Sequence, residues 1–265
     1  MTHLTRRTVL GAAAGLALTG LTPARAENFW GRRPSDGPKE FIFGYGSLIN
    51  TPSREATGRG RIDAVSARVS PDFGYVRSWV ARSSSGFTAL GLRPATPGEA
   101  PSSINGVVFP VDGESLPRFD RRESGYDRVV VPRSVIEGVS WQGLPPDGVI
   151  WAYVPKSITA ASAPPLFPDA NHPLVQSYVD LVLEGTLEYG AEFARELVAT
   201  TFDWGRFWLN DRTTARRPWI ATPEAGRIDD MLARTQPAAT AFPHRLYSED
   251  YAARILRTPA AEGVK

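Results

Sequence analysis

Apolar positions arrive in short continuous runs over the first half of the chain and at three- and four-residue steps over much of the second. The run at 40–45, "EFIFGY", stops in Gly44-Tyr45-Gly46-Ser47, which predicts a buried strand entering a bare turn. Further runs rich in Val, Ile, Phe and Tyr predict strands near 62–69, 75–80, 87–93, 104–111, 127–135 and 148–154. Between two of them, Glu114 to Arg122 reads as a short helix. The Pro/Gly/Ser-rich pieces at 94–103 and 140–147 are short and join strands of similar character, so they read as surface connections.

After the proline-heavy crossing from Ala160 to Pro173 the period changes. Leu174, Tyr178, Leu181, Val182 and Tyr189 fall on one helical face; Phe193, Leu197 and Val198 continue on a second helix, with Gly190 between the two. The last 60 or so residues hold "TFDWGRFWLNDRTTARRPW" and a polar tail without strong periodicity. No internal repeat is visible.

The first 26 residues stand apart from this pattern. A basic start, an apolar run of about 13 residues from Val9 to Leu21 and the small-residue site Ala24-Arg25-Ala26 have the anatomy of an export signal. The run is short of the roughly 20 residues needed to span a bilayer, so no stable membrane anchor is expected. Paired Arg6 and Arg7 resemble a twin-arginine signal, which makes the twin-arginine export machinery the expected partner and the periplasm or the medium the destination. An ordinary secretory signal with a basic start is the alternative. Cleavage before Glu27 would leave 27 basic against 28 acidic residues, a net charge of −1, where the whole chain carries +2. A pI near 9 therefore overstates the basicity of the working protein, and a nucleic-acid or anionic-lipid partner is not expected. Cysteine is absent, which removes disulfides and thiolate chemistry.

Other absences narrow the chemistry. There is no H-E-x-x-H, and past residue 26 the histidines are His172 and His244, too few for a histidine-built metal site. Gly44-Tyr45-Gly46-Ser47 has neither the lysine of a phosphate loop nor the glycine spacing of a dinucleotide turn. A nucleophile elbow would place a glycine two after Ser47, where Ile49 stands. What remains is a turn whose glycines relieve crowding and expose backbone N–H groups, suited to a carboxylate or a developing oxyanion. Further on, "LPRFDRRESGYDRVVV" places Glu123 where a helix meets a glycine turn, a position that partial burial can turn into a proton shuttle. Asp120 reads as a helix-end or salt-bridging residue, to Arg122 or Arg128, and Tyr126 fits core or pocket equally.

Tyr45-Gly46-Ser47-Leu48 after an apolar strand, then Asp120-x-x-Glu123-x-Gly125-Tyr126 and Val129 to Val131, resembles the gamma-glutamylcyclotransferase family. "GYVRSW" at 74–79, "ALGLRPA" at 89–95, "INGVVFPV" at 104–111 and "VIWAYVP" are similar to its core strands in order and spacing. The resemblance covers about 40 to 155, and the helices at 174–199 are similar to those of longer, ChaC-like bacterial relatives.

The resemblance implies an α+β fold, a small mixed β-barrel with flanking helices, and a C-terminal helical extension. The implied division is 1–26 signal, 27–39 leader, 40–155 core and 156–265 extension packed on the core. It also implies an enzyme of transferase or lyase type, related to glutathione metabolism, that needs no cofactor or metal and closes a gamma-glutamyl compound to 5-oxoproline. Tyr45, Gly46, Ser47 and Leu48 would then bind the gamma-glutamyl moiety, Glu123 would be the general acid/base, and Tyr126 and Tyr153 would wall the pocket. A non-catalytic periplasmic binding protein for gamma-glutamyl or amino-acid-like ligands is the alternative. The Trp204, Trp208, Asn210, Asp211, Arg212, Arg216, Arg217 and Trp219 cluster reads either as a lid on the pocket or as packing of the extension.

Overall fold

A computed structural model describes residues 37–160, 165–214 and 223–257. The segment expected to be an export signal, most of the expected leader, and Arg216, Arg217 and Trp219 lie outside the described residues.

In chain order the first half comprises β1 (Glu40–Gly44), α1 (Thr51–Gly58), β2 (Val65–Val69), β3 (Tyr75–Arg82), β4 (Thr88–Pro94), β5 (Ile104–Val111), α2 (Leu116–Arg122), β6 (Tyr126–Val130), β7 (Ile136–Gly138), β8 (Val149–Pro155) and α3 (Lys156–Thr159). The second half adds β9 (Leu174–Val175), α4 (Gln176–Leu187), α5 (Ala191–Ala199), β10 (Thr201–Phe202), β11 (Trp208–Asn210), α6 (Ala225–Arg234), α7 (Ala238–Ala241), β12 (Leu246–Tyr247) and α8 (Ser248–Tyr251).

The fold is α+β, as expected, but among the described residues the strands do not close into a barrel. Six form one sheet in the order β6-β8-β1-β5-β2-β7, while β10-β3-β4 and β12-β11-β9 are separate three-stranded sheets. The large sheet keeps two edges because β3 and β4 pair with each other across an irregularity between Trp79 and Ala81 instead of bridging β6 to β7. The strand expected over 127–135 divides for a local reason. Pro132 cannot donate to a ladder, so β6 stops at Val130, a 3₁₀ turn follows at Arg133–Val135, and the chain re-enters the far edge as β7.

The continuous apolar character of β1 and β5 follows from burial on both sheet faces. Alternate side chains of β1 point to opposite sides. Ile42 joins a core with Phe109, Phe119, Leu183, Leu197, Trp208 and Leu232, and Phe41 and Phe43 join another with Val65, Ile104, Val108 and Val154. Helices α4 and α5 separate where expected, at Gly190 with φ 110°, and α4 buries Val179, Val182, Leu183 and Thr186. Leu174, expected on that helix, belongs to β9 instead and pairs with Trp208. Gly185 lets α4 press against the chain after the turn: a Cβ there would lie 2.4 Å from the Asn50 backbone nitrogen.

Candidate active site

Strand register brings the two motifs to one end of the large sheet. Strand β1 runs parallel to β8, with Ile42 opposite Trp151, so its C-terminal Gly44-Tyr45 leaves beside the later residues of β8. Strand β6 runs antiparallel to β8 on its other side, with Tyr126 opposite Pro155, so the Glu123 turn enters from that same end. With strands about 4.8 Å apart, two positions across the sheet place the turns roughly 10 Å from each other.

The first turn is shaped by Gly44, where a Cβ would meet that of Leu48 at 2.9 Å. Its absence allows the chain to fold into a 3₁₀ turn, Ser47–Ile49, closed by Ile49 N–H on the Gly46 carbonyl at 2.9 Å. Asn50 then caps α1, its side chain accepting from Ser53 N–H at 3.0 Å. The second turn follows α2: Glu123 N–H donates to Phe119 and Tyr126 N–H to the Glu123 carbonyl, both at 2.8 Å.

Both turns line one cavity of about 410 Å³. Its walls include Gly44, Tyr45, Gly46, Ser47 and Leu48 on one side and Arg122, Glu123, Ser124, Gly125 and Tyr126 on the other. Tyr153 and Tyr178 also line it, as do Arg82 to Ser85 from the hairpin between β3 and β4. All the residues singled out for this site in the sequence thus meet around a single hollow.

The Glu123 side chain is only 14 % exposed. Burial pushes its carboxyl above the ordinary range, and the Arg122 guanidinium, with Nε 3.1 Å from Oε1, opposes that shift. Phenols surround it. Tyr45 donates to the Tyr153 carbonyl, Tyr126 to the Leu90 carbonyl at 3.0 Å, and Tyr153 to Asp120 Oδ1 at 2.9 Å. Burial raises all three, and a Glu123 charge raises them further. Tyr178 is pushed up to about 12 by burial and by Glu123, while Ser47 and the Leu90 backbone pull it back. The four therefore stay protonated through the neutral range, and Glu123 is the carboxyl among the residues that line the cavity.

Asp120 is a structural partner: it binds the Tyr153 hydroxyl and sits 3.2 Å from Arg128 Nε. Among the described residues no histidine lines the cavity beside Ser47. The serine hydroxyl accepts from Arg122 at 3.0 Å, while His172 stands 3.3 Å from Asp169, and neither His172 nor His244 lines the cavity. The tryptophan cluster packs behind the site. Trp204 lies 4.9 Å from Trp79 and 5.1 Å from Trp208 between ring centroids, and Trp79 abuts Tyr178 at 6.0 Å. None of Trp204, Trp208, Asn210, Asp211 and Arg212 lines the cavity.

Three features of the site escape a reading by pattern. Tyr178 satisfies helical periodicity, so nothing distinguishes it from a core residue until α4 docks on the 3₁₀ turn. Arg122 stands out only as a charge near Asp120. Arg77, 0 % exposed on β3, donates to the carbonyls of Tyr45, Asn105 and Leu197 and to the hydroxyls of Thr200 and Thr201, tying the turn to the end of α5. Burial pulls its guanidinium down to about 9. An arginine amid apolar strand residues is the one signal that pointed to it.

Solved structures of gamma-glutamyl cyclotransferases are among the fold neighbours of this chain. One, titled gamma-glutamyl cyclotransferase, is 17 % identical over 72 % of this chain and 98 % of its own, with a TM-score of 0.43. A yeast cyclotransferase specific to glutathione is 12 % identical over 78 % of this chain and 96 % of its own, with a TM-score of 0.37. An Arabidopsis thaliana protein is 22 % identical over 45 % of this chain, with a TM-score of 0.32; the chain spans 64 % of that protein's length. No family model and no curated protein matches the chain.

Proposed function

We propose that the cavity cyclises a gamma-glutamyl amide or peptide to 5-oxoproline with release of an amine or amino acid. What carries the proposal is the sharing of one hollow by the Gly44–Ser47 turn and a buried carboxyl whose proton affinity is raised. The substrate's own alpha-amine attacks its gamma-carbonyl carbon. A C–N bond closes the five-membered ring, the amine proton passes to the Glu123 carboxylate, and the carbonyl oxygen becomes an oxyanion. Collapse breaks the bond to the leaving nitrogen as Glu123 returns the proton to it. No water, oxidant or protein nucleophile enters the balance.

The steps divide between substrate and protein. Intramolecular attack in a well-oriented chain corresponds to effective molarities of roughly 10⁵ M or more, so folding the substrate back on itself is the larger share. Proton transfer by a placed carboxyl contributes a factor of about 10² to 10⁴. The first turn of a helix leaves N–H groups without intrahelical partners, and those at Gly46 and Ser47 would hold the alpha-carboxylate or the oxyanion. Tyr45, Leu48, Tyr126 and Tyr153 would shape the walls, with Tyr178 added from α4.

Residues 27–265 incubated with a panel of gamma-glutamyl amines and dipeptides should release 5-oxoproline and amine in equal amounts from at least one member. Calorimetric uptake of panel members with no amine released over hours would replace the enzyme by the binding protein. The proposal includes export through Arg6 and Arg7. Changing both to Lys should leave the precursor in the cytoplasm; an undiminished periplasmic yield would exclude the twin-arginine route.

A further inference from the structure

The carboxyl on which the proposed reaction depends is ion-paired to a neighbour that is itself hydrogen-bonded to two other elements. Arg122 closes α2, and its Nε lies 3.1 Å from Glu123 Oε1. Nη1 donates to the Ser53 carbonyl at 2.9 Å and the Thr57 hydroxyl at 2.6 Å. Nη2 donates to the Ser47 hydroxyl at 3.0 Å and the Ser53 hydroxyl at 2.9 Å. A guanidinium carries its N–H groups in a rigid fork, so the two terminal nitrogens are hydrogen-bonded while Nε faces the Glu123 carboxyl. One planar group therefore joins Glu123 to the glycine turn and to the first two turns of α1.

We propose that Arg122 is a positioning residue: it fixes the Glu123 carboxyl relative to Ser47 and supplies the standing positive charge against which that carboxyl gains and loses its proton. The inference rests on the reaction assigned above. Among the described residues, Arg122 is the ion-pair partner of Glu123. The groups facing Glu123 from other elements are phenols: Tyr45 after β1, Tyr126 of β6, Tyr153 of β8 and Tyr178 of α4. All are raised and uncharged in the working range. Asp120, one turn earlier on α2, is engaged with Tyr153 and Arg128. Burial pushes the Glu123 carboxyl up and Arg122 holds it back, so removing the arginine leaves the burial unopposed.

The test uses residues 27–265 with the Glu123 side-chain carboxyl followed by ¹³C NMR. Arg122→Gln should move the Glu123 midpoint up by about one pH unit or more, the size expected when an opposite charge in contact is removed. The acid limb of kcat/KM should move with it, and Arg122→Lys should restore most of the midpoint. A folded Arg122→Gln whose Glu123 titrates as in the wild type overturns the proposal. If the Gln variant does not fold, Arg122→Lys decides. A retained midpoint with kcat lowered about tenfold and KM little changed supports positioning, because a lysine keeps the charge but loses the fork. An unchanged kcat per folded molecule overturns it. A wild type that makes no 5-oxoproline would sink the reaction alone, since the titration reads Arg122 without turnover.

Discussion

Glu123→Gln is expected to lower 5-oxoproline release by a factor of about 10² to 10⁴ while the chain stays folded. The substitution keeps the shape of the side chain and removes the exchangeable proton together with the negative charge that stands 3.1 Å from Arg122 Nε. Its effect on stability should run opposite to its effect on activity. The Glu123 carboxyl has a raised affinity for its proton in the folded state, so the folded chain holds that proton over a pH range where the unfolded chain has released it. Stability attributable to this group is complete below the ordinary glutamate value of about 4.3 and is lost as pH rises through the higher folded value. The glutamine variant escapes that loss. At pH 8 it should melt no lower than the wild type, and its advantage should shrink toward pH 4. Melting curves at both pH values, with product measured by mass spectrometry, check the pair of effects. Full turnover in the variant would defeat the assignment of Glu123.

Asp180→Asn is the substitution expected to destabilise most. Asp180 is 1 % exposed on α4, and Arg212 grips both its oxygens at 2.7 Å while Gln176 donates to it at 2.8 Å. Arg212 also reaches Asp229 of α6 at 2.9 Å, and Arg245 ties Asp229 to Gln176. Removing one partner from a buried pair strands the other charge, a cost of about 3 kcal/mol at the low end because Arg212 keeps Asp229. For a chain of this size that corresponds to a melting point lower by roughly 6 to 12 °C. Equal melting of variant and wild type would show that the network carries no stability.

The same network predicts a sensitivity to acid. Burial alone would raise the Asp229 carboxyl, yet hydrogen bonds from Arg245 and Arg212 hold it below the ordinary carboxylate range. A depressed folded value means that the stabilisation is present above about pH 4 and is lost as pH falls through the lower folded value. Since α4 carries Tyr178 into the cavity, loosening this network reaches the site.

Much of what the chain determines locally is legible in the described residues. Apolar runs place β1, β5 and β8 within a residue, because strands buried along most of their length carry few polar positions to interrupt the run. Gly190 marked the break between α4 and α5, since its φ of 110° suits a residue without a side chain. The glycines of the first turn and the acid of the second were visible as residue types. Pro132 speaks against a strand through 135, and Asn50 followed by Pro52 is the local signal for α1.

Whether the two turns share a hollow was decided only by tertiary structure. That outcome depends on β1 and β6 flanking β8 in opposite senses, and the pairing of β1 with β8, Ile42 opposite Trp151, joins segments far apart in the chain and leaves no mark on either. Tyr178 and Arg122 became parts of the site for the same reason. Local sequence sets which side chains are available and how the backbone bends beneath them; their convergence comes from long-range register and helix docking, which bury a carboxyl among phenols and so change its chemistry.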